Sequence, residues 1–176
     1  MEAKAEAFAV WITGLPSSGK STIAAALAAQ LADHGVDVAV LESDVLRKVF
    51  TSERSYEASA REAFYRQMTF VGRLLIEHGV PVIFDATANR RVFRDRARRE
   101  IPRFVEIYVD TPLETCMARD PKGIYRSAAA GEAKSVPGLQ EPYEPPESAD
   151  VVVHGENTKQ DARRILEKLL EKGYVR

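Results

Sequence analysis

The chain has 176 residues, 29% charged and 45% hydrophobic, and a formal net charge of −1. That balance gives no global attraction to nucleic acid or to an anionic membrane, and no apolar run is long enough to span a bilayer. A single cysteine, Cys116, excludes an internal disulfide, and an N-terminus without an apolar signal core points to one cytoplasmic domain over residues 1–176.

The first predicted strand is the apolar run 8–13. It leads into Gly14-Leu-Pro-Ser-Ser-Gly-Lys-Ser21, which matches G-x-x-x-x-G-K-[ST], the phosphate-binding loop. A helical run over 20–34 follows, so the motif stands in the strand–loop–helix order it requires. Successive loop N–H groups and the helix N-terminus make a positive nest for phosphate. Gly14, Ser17, Ser18, Gly19, Lys20, Ser21 and Thr22 are therefore the expected nucleotide-binding residues. Lys20 is expected to reach the β- and γ-phosphates of ATP, which makes it a catalytic candidate, and the Ser21 hydroxyl to bind Mg²⁺.

The second strand, predicted over 36–41, runs into Glu42-Ser-Asp44 and a helix over 44–50. Ligands of open α/β sheets bind outside the C-terminal ends of the strands, where Asp44 falls. It either receives the acceptor's proton, as a second catalytic residue, or caps the helix. A helix over 57–78 precedes the third strand, 80–85. Asp85 closes that strand, either to support Mg²⁺ or to cap the next segment. Gly35 and Gly79 stand where glycines end helices. The helix predicted over 91–100 adjoins Arg90 and carries Arg91, Arg94, Arg96, Arg98 and Arg99; such a run reads as a solvated face, with its Arg90–Arg91 end nearest the ligand edge. Strands over 104–109 and 150–153 and helices over 112–118 and 158–172 complete the alternation. The expected class is α/β: a P-loop NTPase-type three-layer sandwich with a mainly parallel five-stranded sheet and a lid.

The lid is the segment 120–148, which holds five of the nine prolines. It is too long for an ordinary connection, and its aromatic and basic residues suit closure over a ligand better than a disordered insertion. Cys116 reads as core. His34, His78 and His154 have no metal-ligand spacing. A short chain with a phosphate loop, an acceptor-side carboxylate and a lid points to a small kinase rather than a motor.

Five blocks then stand together: Trp11-Ile-Thr-Gly-Leu-Pro-Ser-Ser-Gly-Lys-Ser-Thr-Ile-Ala24, Val109-Asp-Thr-Pro-Leu-Glu-Thr-Cys-Met-Ala-Arg-Asp-Pro-Lys-Gly-Ile-Tyr125, Ala130-Gly-Glu-Ala-Lys134, Pro137-Gly-Leu139 and Pro142-Tyr-Glu-Pro-Pro146. They resemble the adenylylsulfate kinases, which phosphorylate the 3′-hydroxyl of adenosine 5′-phosphosulfate. The likeness spans nearly the whole chain and is more specific in the lid than in the phosphate loop. It implies a P-loop kinase fold that often forms dimers, with ATP, Mg²⁺ and a small-molecule acceptor, in sulfate assimilation. Asp44 resembles the family's acceptor-side aspartate and Arg47 its nearby substrate arginine. Tyr56 falls where a phenylalanine stacks on the substrate adenine, and Arg61 matches a substrate-contacting arginine. Arg119 resembles the residue packed on the ATP adenine, and Lys134 a lid lysine near phosphates and substrate. Val136, Gly138 and Leu139 fall on the substrate side, with Val136 in place of the second aromatic of the adenine clamp. Three further departures cluster on the acceptor side. Glu42-Ser-Asp-Val45 stands for Asp-Gly-Asp-Asn, Phe64 for a substrate-binding asparagine, and Ala88-Asn-Arg90 for Ser-Pro-Tyr. The leading expectation is an adenylylsulfate kinase. The alternatives are a kinase of the same scaffold with another hydroxyl acceptor and a nucleotide-binding regulator without turnover.

Overall fold

The computed structural model describes residues 7–50 and 57–176. Five strands, β1 (Ala9–Gly14), β2 (Ala39–Glu42), β3 (Val82–Asp85), β4 (Phe104–Val109) and β5 (Val151–Val153), form one sheet in the order β2-β3-β1-β4-β5. Every pairing is parallel, with Ala9 opposite both Val82 and Phe104. Seven helices lie among the described residues: α1 (Lys20–Asp33), α2 (Ser43–Phe50), α3 (Ala58–Glu77), α4 (Arg91–Glu100), α5 (Leu113–Arg119), α6 (Ile124–Ala129) and α7 (Thr158–Glu171).

All six residues of β1 are buried, because helices cover both faces of a parallel sheet. Side chains alternate along it. Val10 and Ile12 join the core with Ile23, Leu27 and Leu31 of α1 and Ile165 and Leu169 of α7. Ala9 and Trp11 face the opposite core, with Phe64 and Met68 of α3 and Phe93 and Ala97 of α4. Trp11 stacks on Phe84, with ring centroids 4.6 Å apart, and its Nε1 donates to the Ala86 carbonyl at 3.2 Å. The result is the expected three-layer α/β sandwich.

Two strands begin later than the sequence predicts, for one reason. Val36 N–H returns to Leu31 O at 2.9 Å, and Val80 N–H to Leu75 O at 3.0 Å. Those amides close the ends of α1 and α3, through Gly35 at φ +72° and Gly79 at φ +81°. They are not available to the sheet until the chain has turned.

Residues 120–148 follow a defined path. They contain α6, which the sequence reading missed. The Asp120 carboxylate accepts from the Tyr125 and Arg126 N–H groups at 3.2 and 3.0 Å and so starts this short helix. Tyr125, Ala128 and Val136 pack with Cys116 in a small separate core.

The arginines of α4 correct the expectation of a solvated face. Arg94 is 1% exposed, and its Nε donates to Glu106 of β4 at 2.7 Å. Arg91 pairs with Glu147, Arg96 with Glu62, and Arg98 with Glu106 and Asp150. The stripe is largely an ion-paired seam joining α4 to the sheet, to α3 and to the end of the 120–148 segment.

Candidate active site

Strand order reverses across β1: the chain fills one side with β2 and β3 and the other with β4 and β5. The loops after β1, β2 and β3 therefore meet at one edge, outside the C-terminal ends of the strands. The phosphate loop occupies its centre. Lys20 opens α1, whose first N–H groups have no partner within the helix and face the loop. Ser17 Oγ and Ser18 Oγ are buried there without a hydrogen-bond partner. Buried hydroxyls left unpaired are costly, and an anion in the nest would satisfy them.

Lys20 is 9% exposed and its Nζ donates to Leu15 O at 2.8 Å. Burial pushes its ammonium below the usual lysine range, against the pull of the Asp85 and Asp44 carboxylates. A buried cation beside an anion nest is suited to a polyphosphate, which would favour its charged form. Ser21 Oγ donates to Asp85 Oδ2 at 2.6 Å, so β3 presents its terminal carboxylate to the start of α1. No group of three or more His, Cys, Asp or Glu side chains able to hold a metal occurs among the described residues. One hydroxyl and one carboxylate fit Mg²⁺, which keeps waters and takes its other ligands from phosphates. Thr22 Oγ1 turns back to Gly19 O at 2.9 Å.

Arg119, at the end of α5, lies across the loop's outer edge. Its Nη2 donates to Gly155 O at 3.1 Å and its Nη1 reaches Ser18 O at 3.5 Å. Thr111 Oγ1 is 2.9 Å from both Ser18 O and His154 O. The loops after β4 and β5 thus brace the phosphate loop from behind.

Of the residues expected on the acceptor side, Asp44 lies in the first turn of α2 and pairs with Lys122 of the Asp120-Pro-Lys-Gly turn. Burial works against the Lys122 charge, but its hydrogen bond to the Asp44 carboxylate, together with the charges of Asp44, Asp85 and Glu42, holds the ammonium above its usual range. Arg47 lays its guanidinium over the Phe64 ring, 3.9 Å from the centroid. Arg61 is buried and donates from Nη1 to Asn89 Oδ1 at 3.3 Å and from Nη2 to Ser135 O at 3.0 Å. Lys134 is exposed. Gly138 and Leu139 line a cavity of about 570 Å³ with Leu15, Tyr108, Pro142 and Tyr143. Val136 differs from the expectation. It is 4% exposed and packs inward against Cys116, Tyr125 and Ala128, so its side chain offers no open face to a base. Tyr56 lies outside the described residues.

Several residues that shape the site were not singled out from the sequence. Thr13 Oγ1 donates to Thr87 O at 2.6 Å, so the Tyr143 hydroxyl, 3.0 Å away, donates to Thr13. Burial holds the Tyr143 phenol well above its usual range, so it keeps that proton. Arg94 reaches Ala88 O, and its Nη2 donates to Glu144 O at 2.6 Å. Asn89 and Lys122 complete the set. Their partners lie 50 or more residues away, apart from the Arg61–Asn89, Arg94–Ala88 and Arg94–Glu106 pairs, so local spacing carried little signal for them.

The family model for adenylylsulphate kinase matches residues 6–154. An adenylyl-sulfate kinase of Microcystis aeruginosa is 39% identical over 94% of this chain and 93% of its own length. One from Gloeothece citriformis is 40% identical over 95% and 96%. The Mycobacterium tuberculosis APS kinase, solved with AMPPNP and APS, superimposes with a TM-score of 0.88 at 31% identity, over 94% of this chain and 98% of its own. The phosphate loop, the lid blocks and the fold thus agree, and the chain belongs to the adenylylsulphate kinase family.

Proposed function

We propose that this protein is an ATP-dependent kinase that phosphorylates the 3′-hydroxyl of adenylylsulfate. The observation that carries the reading is the buried Lys20 at the start of α1, set among the unpartnered Ser17 and Ser18 hydroxyls and the Ser21–Asp85 pair. The family and the AMPPNP and APS carried by the Mycobacterium tuberculosis neighbour support both ends of the transfer.

The Gly14–Thr22 backbone and the Ser17 and Ser18 hydroxyls bind the polyphosphate, and Arg119 packs at the nucleotide's adenine end. Ser21 and Asp85 hold Mg²⁺, whose chemistry is to neutralise charge on the transferring phosphoryl oxygens. Arg61 and Arg47 hold the acceptor's anionic group, with Tyr56, Lys134, Gly138 and Leu139 around the acceptor. The acceptor's 3′-oxygen attacks the γ-phosphorus and the bond to the ADP oxygen breaks. Asp44 receives the hydroxyl proton while Lys122 holds its carboxylate in place. Lys20 stabilises the negative charge that develops, as electrostatic preorganisation requires. Residues 120–148 act as the lid of one kinase domain. The family supports a role in sulfate assimilation, in the cytoplasm, with a homodimer as the candidate assembly.

A coupled assay of ADP release tests the reading, with adenylylsulfate beside a panel of nucleosides, sugars and small alcohols. Turnover dependent on adenylylsulfate and Mg²⁺ is expected. Turnover with another hydroxyl compound and none with adenylylsulfate would replace the acceptor.

A further inference from the structure

Asn89, on the loop between β3 and α4, is 2% exposed, yet every polar group of its side chain and its carbonyl is engaged. Oδ1 accepts from Arg61 Nη1 at 3.3 Å, Nδ2 donates to Pro142 O at 3.0 Å, and its carbonyl accepts from Glu144 N–H at 2.7 Å. Arg61 meanwhile reaches Ser135 O with Nη2. The Arg61–Asn89 pair therefore grips the 135–142 segment at both ends, at Ser135 directly and at Pro142 through the Asn89 amide. Between those points the segment closes on itself. Gln140 N–H bonds Val136 O at 2.8 Å, Gly138 N–H bonds Glu141 O at 2.7 Å, and Val136 N–H bonds Gln140 Oε1 at 3.0 Å. The preceding residue, Ala88, holds φ +41° between the Tyr65 hydroxyl on its N–H and Arg94 on its carbonyl. A left-handed alanine persists only where its surroundings over-determine it, so Asn89 is presented in one fixed orientation.

We propose that Asn89 is a positioning residue for the acceptor site: it fixes the Arg61 guanidinium for the acceptor's anionic group and ties that same guanidinium to the 135–142 segment. The inference rests on the reading of Arg61 as an acceptor contact. A guanidinium forks, so the edge that holds Asn89 and Ser135 orients the rest of the plane. A sulfate or phosphate oxygen is a stronger partner than a peptide carbonyl and competes with Ser135 O for Nη2. Asn89 keeps Nη1 through that exchange, so the arginine is handed from the lid to the acceptor without losing its place.

Two variants test it. Asn89→Leu removes the amide at similar volume, and Asn89→Ala leaves the backbone bond to Glu144 while emptying the side-chain site; thermal melts show which is folded. In the free protein, amide hydrogen exchange at Gly138–Gln140 should quicken by about tenfold or more, the effect of losing one hydrogen bond to a charged group. That arm needs no acceptor, so it stands even if adenylylsulfate proves not to be the substrate. With acceptor, its KM should rise by about ten- to a hundredfold, with kcat at saturation and the KM for ATP within about threefold of wild type. Arg61→Ala combined with Asn89→Leu should be no worse in acceptor KM than Arg61→Ala alone. Unchanged exchange in a folded variant overturns the tie to the 135–142 segment. An unchanged acceptor KM, or equal rises in both KM values, overturns the positioning role.

Discussion

Replacing Arg94 by methionine should destabilise the protein more than any other single change on α4. The guanidinium is 1% exposed and Glu106 6% exposed, so the change leaves a carboxylate buried beside an apolar side chain. It also leaves the carbonyls of Ala88 and Glu144 without their donor. Breaking a buried ion pair from one side costs about 3–5 kcal/mol. Arg98 Nη2 stays 3.3 Å from the second Glu106 oxygen and shares part of the charge, which favours the lower half of that range. A loss of about 3–4 kcal/mol corresponds to about 6–16 °C in melting temperature at this chain length. The double change Arg94→Met with Glu106→Met removes both charges and should recover most of the loss, because no unpaired carboxylate remains. Urea unfolding of wild type, both single variants and the double variant measures the coupling as shifts in midpoint. A loss under about 1 kcal/mol for Arg94→Met, or a double variant less stable than that single, would refute the argument.

Lys20→Ala should lower turnover by on the order of a thousandfold in a folded protein, since it removes the charge facing the transferred phosphoryl; near-normal steady-state turnover removes Lys20 from the chemistry. The lowered pKa of Lys20 adds a sign. Phosphates favour its charged form, so nucleotide affinity should fall as pH rises through the range in which the free lysine loses its proton, with proton uptake on binding there. Calorimetry in two buffers of different ionisation heat reads this uptake, and Lys20→Ala should abolish it. Asp44→Asn should depress kcat with little change in ATP binding, whereas Asp85→Asn should raise the Mg²⁺ requirement; identical Mg²⁺ titrations for Asp85→Asn and wild type remove Asp85 from the metal shell. Val136→Phe should overpack the small core around Cys116 and Tyr125, costing about 1–3 kcal/mol by thermal melt; an unchanged melt together with tighter acceptor binding would show that the ring turns outward instead.

What the sequence makes legible follows from the range of the interactions involved. The phosphate loop is readable because its function resides in eight consecutive residues, and β4 and α4 because their periodicity is undisturbed from end to end. The starts of β2 and β3 are misplaced by two or three residues because Val36 and Val80 have strand-like side chains but amides already bonded to a helix end. Helix α6 is too short for a period to show, and its starting carboxylate, Asp120, lies before a proline and a glycine that read as loop. The arginines of α4 look solvated because the carboxylates that pair with them, Glu62, Glu106, Glu147 and Asp150, lie on other elements. Val136 aligns with an aromatic of the family, yet alignment says nothing about the direction its side chain takes once Tyr125 and Ala128 are folded against it.

The position of β1 at the centre of the sheet also sets the order in which the molecule can be assembled. This strand is made first, but its two neighbours pair through Val82 and Phe104 and beyond. During synthesis its backbone edges stay unpaired until β3 has emerged, and one of them until β4 follows. Such distant pairings pay for loop closure before any contact rewards them, and they fold slowly. The phosphate loop, rooted at the end of that strand, acquires its back wall only when Thr111 and Gly155 arrive. Nucleotide binding should therefore come late in the life of the nascent chain, and a ribosome-stalled fragment ending before β4 should carry a complete phosphate-loop sequence without the brace that Thr111 and Gly155 supply.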